Sequence, residues 1–137
     1  MATTAKSRTP KPFLSTLRLD LSHVESGVPL TTISDFAASS GIPLKDLYEV
    51  VIPARTLKHR RARREPLSRD ESDKLARLVR IFDHAVRVFD SIDHARIWLE
   101  EPKRRFGRRT PLEMLRTEIG GRMVEEFIGQ IEYGMFA

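Results

Sequence analysis

The stretch from Ser68 to Phe89 constrains this chain more than any other. Ser68-Arg69-Asp70-Glu71 has the capping-box pattern, in which the serine hydroxyl and the glutamate carboxylate each take a free amide of a helix's first turn. Leu75, Leu78, Val79, Phe82, Val86 and Phe89 follow, repeating every three or four residues. A stripe of that period belongs to one long amphipathic helix, the longest in the chain, and other elements must cover it. No segment alternates with strand period over a useful length, so the cover is helical and the fold class is all-α.

The other elements are punctuated by the same kinds of signal. Ile33, Phe36 and Ala37 lie on one face of a helix that starts at Thr31 or Thr32 and ends at Gly41. Pro43 opens a second short helix with Leu44, Leu47, Tyr48 and Val51 together, and Ile52-Pro53 breaks the chain before a third. Ser91 caps a helix carrying Ile92, Ala95, Trp98 and Leu99, which are read as core, and this helix ends near Pro102. Lys103 to Arg109 is a basic loop around Gly107, and Thr110-Pro111-Leu112-Glu113 is a second capping box. The last helix buries Met123, Val124, Phe127, Ile128 and Ile131 and stops at Gly134, while Gly120-Gly121 serves close packing or a kink. Phe13 to Leu21 reads as a short helix or an extended segment, and its apolar residues are a candidate dimer contact. The expected organisation is a flexible tail over 1–12, a helix-turn-helix domain over 13–67, a connecting helix over 68–90 and a small helical domain over 91–137.

Net charge is +5, and its distribution matters more than its sum. Residues 1–69 carry twelve Lys/Arg against six Asp/Glu, whereas residues 70–137 carry twelve against thirteen. The excess therefore sits in the front half and points to an anionic partner there. Residues 43–64, P-L-K-D-L-Y-E-V-V-I-P-A-R-T-L-K-H-R-R-A-R-R, place two short helices around a tight turn and load the second with Arg and Lys. That is the layout of a helix-turn-helix, whose second helix lies in the DNA major groove. With Leu57 as the inward anchor, Arg55, Thr56, Lys58, His59, Ala62 and Arg63 project outward, and Arg61 and Arg64 lie nearer the inner edges within reach of phosphates. The candidate DNA-binding residues are Arg55, Thr56, Lys58, His59, Arg61, Arg63 and Arg64. A nonspecific nucleic-acid protein would use the same charges.

Several function classes find no support. There is no cysteine, hence no disulfide, thiolate metal site or cysteine nucleophile. No apolar run approaches the roughly 18 residues of a membrane span, and the N-terminus lacks a secretory signal's apolar stretch, so a cytoplasmic location is expected. No HExxH, G-x-S-x-G or P-loop pattern occurs, and the four histidines do not cluster with other ligands. The expectation is a protein that is not an enzyme and holds no metal or cofactor.

Four segments carry a resemblance. L-S-R-D-E-S-D-K-L-A-R-L (67–78), A-R-I-W-L-E-E-P (95–102), R-T-P-L-E-M-L-R-T-E-I-G (109–120) and M-V-E-E-F-I-G-Q-I-E-Y-G (123–134) resemble, in order and approximate spacing, the Xre/MbcA/ParS family of antitoxins with its C-terminal toxin-binding domain. The front half, with Arg55-Thr56-Leu57, resembles the family's Xre/Cro-like helix-turn-helix. One departure is the loop P-K-R-R-F-G-R-R, which has one glycine and four arginines where relatives often carry Asn and a Gly-Gly pair. It adds a second basic patch.

The resemblance implies a bacterial type II antitoxin, generally dimeric, that represses its own operon by binding operator DNA. The usual partner is a RES-domain toxin, similar to ADP-ribosyltransferases and depleting NAD. Residues 111–137 carry five Glu against two Arg, and a pocket that holds a pyrophosphate normally offers Arg or Lys. The toxin contact is therefore expected at Glu132, Tyr133, Gly134, Met135, Phe136 and Ala137, with Tyr133, Met135 and Phe136 entering or covering the toxin's pocket. The alternative is a stand-alone helix-turn-helix transcriptional regulator whose C-terminal domain serves oligomerisation.

Overall fold

A computed structural model of the chain describes residues 11–134, and every regular element among them is helical. The helices are α1 (Phe13–Thr16), α2 (Leu21–Ser26), α3 (Thr31–Ser40), α4 (Leu44–Val51), α5 (Ala54–Arg63), α6 (Arg69–Phe89), α7 (Ile92–Glu100), α8 (Pro111–Met114) and α9 (Glu118–Glu132), with a 3-10 turn at Arg104–Phe106. The tail expected over residues 1–12 lies mostly outside the described residues, as do Met135, Phe136 and Ala137.

The 21 residues of α6 are the axis of the molecule. Its capping box forms as expected: Glu71 N–H donates to Ser68 Oγ at 3.1 Å and Ser68 N–H to Glu71 Oε1 at 2.8 Å. Leu75, Leu78, Val79, Ile81, Phe82 and Ala85 are fully buried. The helices α1, α2, α4, α7 and α9 all pack on this axis. One continuous apolar core results, running from Leu19 and Val24 through Phe36, Leu47 and Phe82 to Leu99, Val124 and Ile128.

The N-terminal segment is helical and turned inward. Asp83, buried within α6, accepts the amides of Phe13 and Leu14 at 2.8 and 3.0 Å, so a side chain of the axis caps α1 from a distance in sequence. Phe13 meets Phe36 and Phe82 at ring-centroid distances of 5.8 Å. Of the two forms expected for Phe13–Leu21, the helical one is found at Phe13–Thr16; Phe13, Leu14 and Leu17 pack partly against the chain's own core, and Leu21 is exposed. Burial raises the Asp83 pKa above its ordinary value, although the two amides and nearby Arg87 oppose the shift. The helix α2 is an addition that sequence periodicity did not reveal, its start fixed by Asp20, which accepts the His23 amide at 3.0 Å.

The second capping box also forms, at Thr110 and Glu113. Thr117 then caps α9, and both glycines of its first turn are buried. A Cβ on Gly120 would collide with the Met114 carbonyl oxygen, and one on Gly121 would lie 3.2 Å from Arg77 Cδ. Close approach, the expected role of this pair, is what the fold uses. Met123, expected in the buried stripe, is instead 40% exposed, because the face of α9 toward α6 centres on Val124 and Ile128.

Candidate functional site

Two surfaces at opposite ends of α6 carry the candidate residues. At the first, Ile52 is extended and buried, and Pro53 lies ahead of α5 with no amide to offer. Together they stop α4 and redirect the chain. Leu57 is the one buried residue of α5 and sets its rotation. Arg55, Lys58, His59, Ala62, Arg63 and Arg64 are exposed, as the helical wheel requires, while Thr56 is half-buried beside Leu57. Arg61 is exposed yet held: its Nη2 donates to Tyr48 Oη on α4 at 2.8 Å, and the guanidinium lies 5.5 Å from the Tyr48 ring centroid.

Arg60 differs from its neighbours in having turned inward. Its Nε and Nη2 donate to the two Glu71 oxygens at 3.1 and 3.2 Å, and Nη1 reaches Glu65 at 3.4 Å. Burial works against ionisation of Glu71, but the Arg60 hydrogen bonds and the Ser68 amide outweigh it and hold its pKa below the ordinary value. The same contact raises the Arg60 pKa. The cap of α6 is thus also the anchor of α5. Sequence reading left Arg60 without a role; the available signal was Glu65 five residues on and a capping glutamate beyond it.

The end of α5 is strained. Arg64 takes the left-handed conformation (φ 55°, ψ 40°) as the helix C-cap, a position where glycine is the usual residue.

At the other end of α6, charged pairs tie α9 to the axis. Arg80 holds Glu125 with two hydrogen bonds, of 2.9 and 3.3 Å, and His84 Nε2 meets Glu132 Oε1 at 2.9 Å. Glu132 is therefore positioned by the fold, whereas Tyr133 is 80% exposed at the helix C-cap and Gly134 follows at φ 69°. The remaining toxin-contact candidates, Met135, Phe136 and Ala137, lie outside the described residues.

Behind these residues is an aromatic layer. Trp98 stands between Phe89 and Phe127 at centroid distances of 5.8 and 5.4 Å, and Phe127 meets the fully buried Phe106 at 5.7 Å. The basic loop is built onto this layer and is not a uniform patch. Lys103 Nζ lies 4.8 Å from the Trp98 centroid, Arg105 lies 4.0 Å from that of Phe127, and Arg109 Nε donates to the Phe106 carbonyl at 2.9 Å. Arg104 and Arg108 remain exposed. Among the described residues no group of three or more His, Cys, Asp or Glu could hold a metal, and no helix is long and apolar enough to cross a membrane.

An arginine-loaded second helix, turned by a buried Ile-Pro corner and fused through α6 to a small helical domain, defines a two-part helix-turn-helix protein. Comparison with known families makes this particular. Residues 21–80 match the antitoxin Xre-like helix-turn-helix domain, and residues 84–134 match the antitoxin Xre/MbcA/ParS C-terminal toxin-binding domain. Among curated proteins, an antitoxin Xre of Photorhabdus laumondii is 34% identical over 114 residues, covering 82% of this chain and 77% of that protein. An antitoxin Xre of Pseudomonas putida is 46% identical over 84 residues, 61% of this chain and only 53% of that protein. A Sphingobium protein named Prs ADP-ribosylating antitoxin is 26% identical, over 83% of this chain and 78% of its own length. The chain belongs to the Xre antitoxin family.

Proposed function

We propose that this chain neutralises an NAD-degrading, RES-domain toxin by covering or plugging its active site with the segment Glu132–Ala137, and represses its own operon by placing α5 on operator DNA. It acts as a homodimer in the bacterial cytoplasm. The observation that carries this reading is that the two matched domains meet on one helix, with exposed cations at one end and an exposed aromatic at the other. The name of the Sphingobium relative joins an antitoxin of this kind to ADP-ribosylation, a reaction that consumes NAD. The His84 contact, which holds Glu132 itself in place before any partner arrives, supports a contact at that residue.

Co-expression tests the reading. The full chain should rescue growth from the toxin encoded beside it and should shift its own promoter fragment in preference to random duplex at fixed salt. A chain lacking residues 134–137 should keep the promoter shift and lose the rescue. Rescue by the truncated chain defeats the plug. Failure of the full chain to bind any toxin favours the stand-alone regulator.

A further inference from the structure

Between the start of α3, the side of α4 and the end of α5 lies a cleft of about 470 Å³, lined by Thr31, Ser34, Tyr48, Arg61 and Arg64 over a floor that includes Pro29 and Pro66. We propose that this cleft seats one phosphodiester of the DNA backbone flanking the bases that α5 reads, with Tyr48, Thr31 and Ser34 as its unassigned donors. The inference rests on the operator-binding reading above.

Hydrogen-bonding capacity is the first argument. Tyr48 Oη accepts from Arg61, so its own hydrogen is free to be donated outward. The Arg61 guanidinium spends one N–H on that contact and keeps the others. Thr31, Ser34 and Arg64 make no side-chain hydrogen bond among the described residues, and all three are exposed. Five donor groups therefore open on one space, and among the described residues the Arg61–Tyr48 contact is the only side-chain hydrogen bond any of them makes. The one carboxylate at the rim, Glu65, is engaged by Arg60 at 3.4 Å, which leaves the cleft cationic.

Placement is the second argument. Arg61 is one turn beyond Leu57, the buried anchor of α5, so it points along the flank of the recognition helix and not from its base-reading face. A charge there meets backbone before it meets a base edge. Tyr48 fixes the direction of Arg61 through both the hydrogen bond and its ring. Phosphate contacts of this kind set register and carry no sequence information.

Fluorescence anisotropy with the chain's own promoter and with a random duplex, across a salt series, tests the proposal. Tyr48→Phe keeps the ring and removes only the hydroxyl. It should weaken binding to both duplexes by a similar factor of about three to ten. Arg61→Gln should lower the slope of log affinity against log salt by about one. Thermal melting of Tyr48→Phe checks that the fold is intact. Unchanged affinity in Tyr48→Phe together with an unchanged slope in Arg61→Gln overturns the proposal, even where the wild-type chain binds its promoter well. Absence of any duplex binding by the wild type is the separate failure of the operator reading. Inorganic phosphate, titrated against a chloride control, then probes the cleft alone. Saturable shifts of the Thr31 and Ser34 amide resonances, lost in Arg61→Gln, support an oxyanion seat, and their absence overturns it. Phosphate binding without any effect of Tyr48→Phe on DNA affinity assigns the cleft to free phosphate and rejects the backbone contact.

Discussion

Arg60 and Glu71 form a two-point contact, with hydrogen bonds of 3.1 and 3.2 Å, between α5 and the first turn of the molecular axis. The Glu71 side chain is 10% exposed and also takes the Ser68 amide, so one carboxylate closes a helix and positions its neighbour. Removing it leaves a partly buried guanidinium without its partner. Glu71→Gln should cost about 2 kcal/mol in chemical denaturation at neutral pH.

The pH dependence of that term has a definite sign. The folded-state pKa of Glu71 lies below its ordinary 4.5, so the stabilisation is complete above 4.5. As pH falls below it, the unfolded chain takes up a proton that the folded one does not, and the contribution is lost as pH drops through the folded-state value. Denaturation midpoints of wild type and Glu71→Gln should therefore converge on acidification.

Asp83 should act in the opposite direction. Its pKa is raised above 3.8 by burial, so at neutral pH the folded state carries the cost of a buried charge. On acidification through the raised value the folded chain is protonated first and gains stability, until the unfolded chain follows below 3.8. Asp83→Asn should abolish this gain. It should also speed hydrogen exchange at Phe13 or Leu14 by about tenfold, since the amide side chain offers one acceptor oxygen where the carboxylate offered two.

Two glycines of α9 should respond differently to alanine. Gly120→Ala places a methyl on the Met114 carbonyl and should destabilise the chain by about 2 kcal/mol or more, read as a fall in melting temperature. A Cβ at Gly129 would meet nothing within 4 Å, so Gly129→Ala should stabilise by about 0.5–1 kcal/mol.

Arg64 trades stability for charge. At φ 55° it pays for a left-handed backbone that glycine adopts freely. Arg64→Gly should raise stability by about 1 kcal/mol and weaken duplex binding, most visibly at low salt. A variant that melts higher and binds as well as wild type would show that this side chain touches no phosphate.

What the sequence made legible was periodic or capped. The Ser68 and Thr110 boxes, the Leu75–Phe82 stripe and the Pro53 corner each rest on neighbours in sequence, and each stands where it was expected. Contacts between distant residues were hidden. Nothing local announces that Asp83 caps α1, or that Arg60 turns in while Arg61 meets Tyr48. A helical wheel assigns direction from one helix's own anchor and knows nothing of the carboxylate on the next. Phe106 was hidden for a similar reason: five basic residues surround it within positions 103–109, and the Phe127 ring it packs against is far off in sequence.

The division of α6 between two matched domains has an evolutionary consequence. Ile81, Phe82 and Ala85 belong to the same core as Leu47 of the front domain and Val124 of the back one. Recombination that joins the front of one relative to the back of another must cut through this core, since no spacer separates them. Such chimaeras should survive only where both parents carry compatible shapes along that helix. Changes of binding specificity in such a fold would then arise more readily by point substitution on the outer faces than by exchange of whole halves.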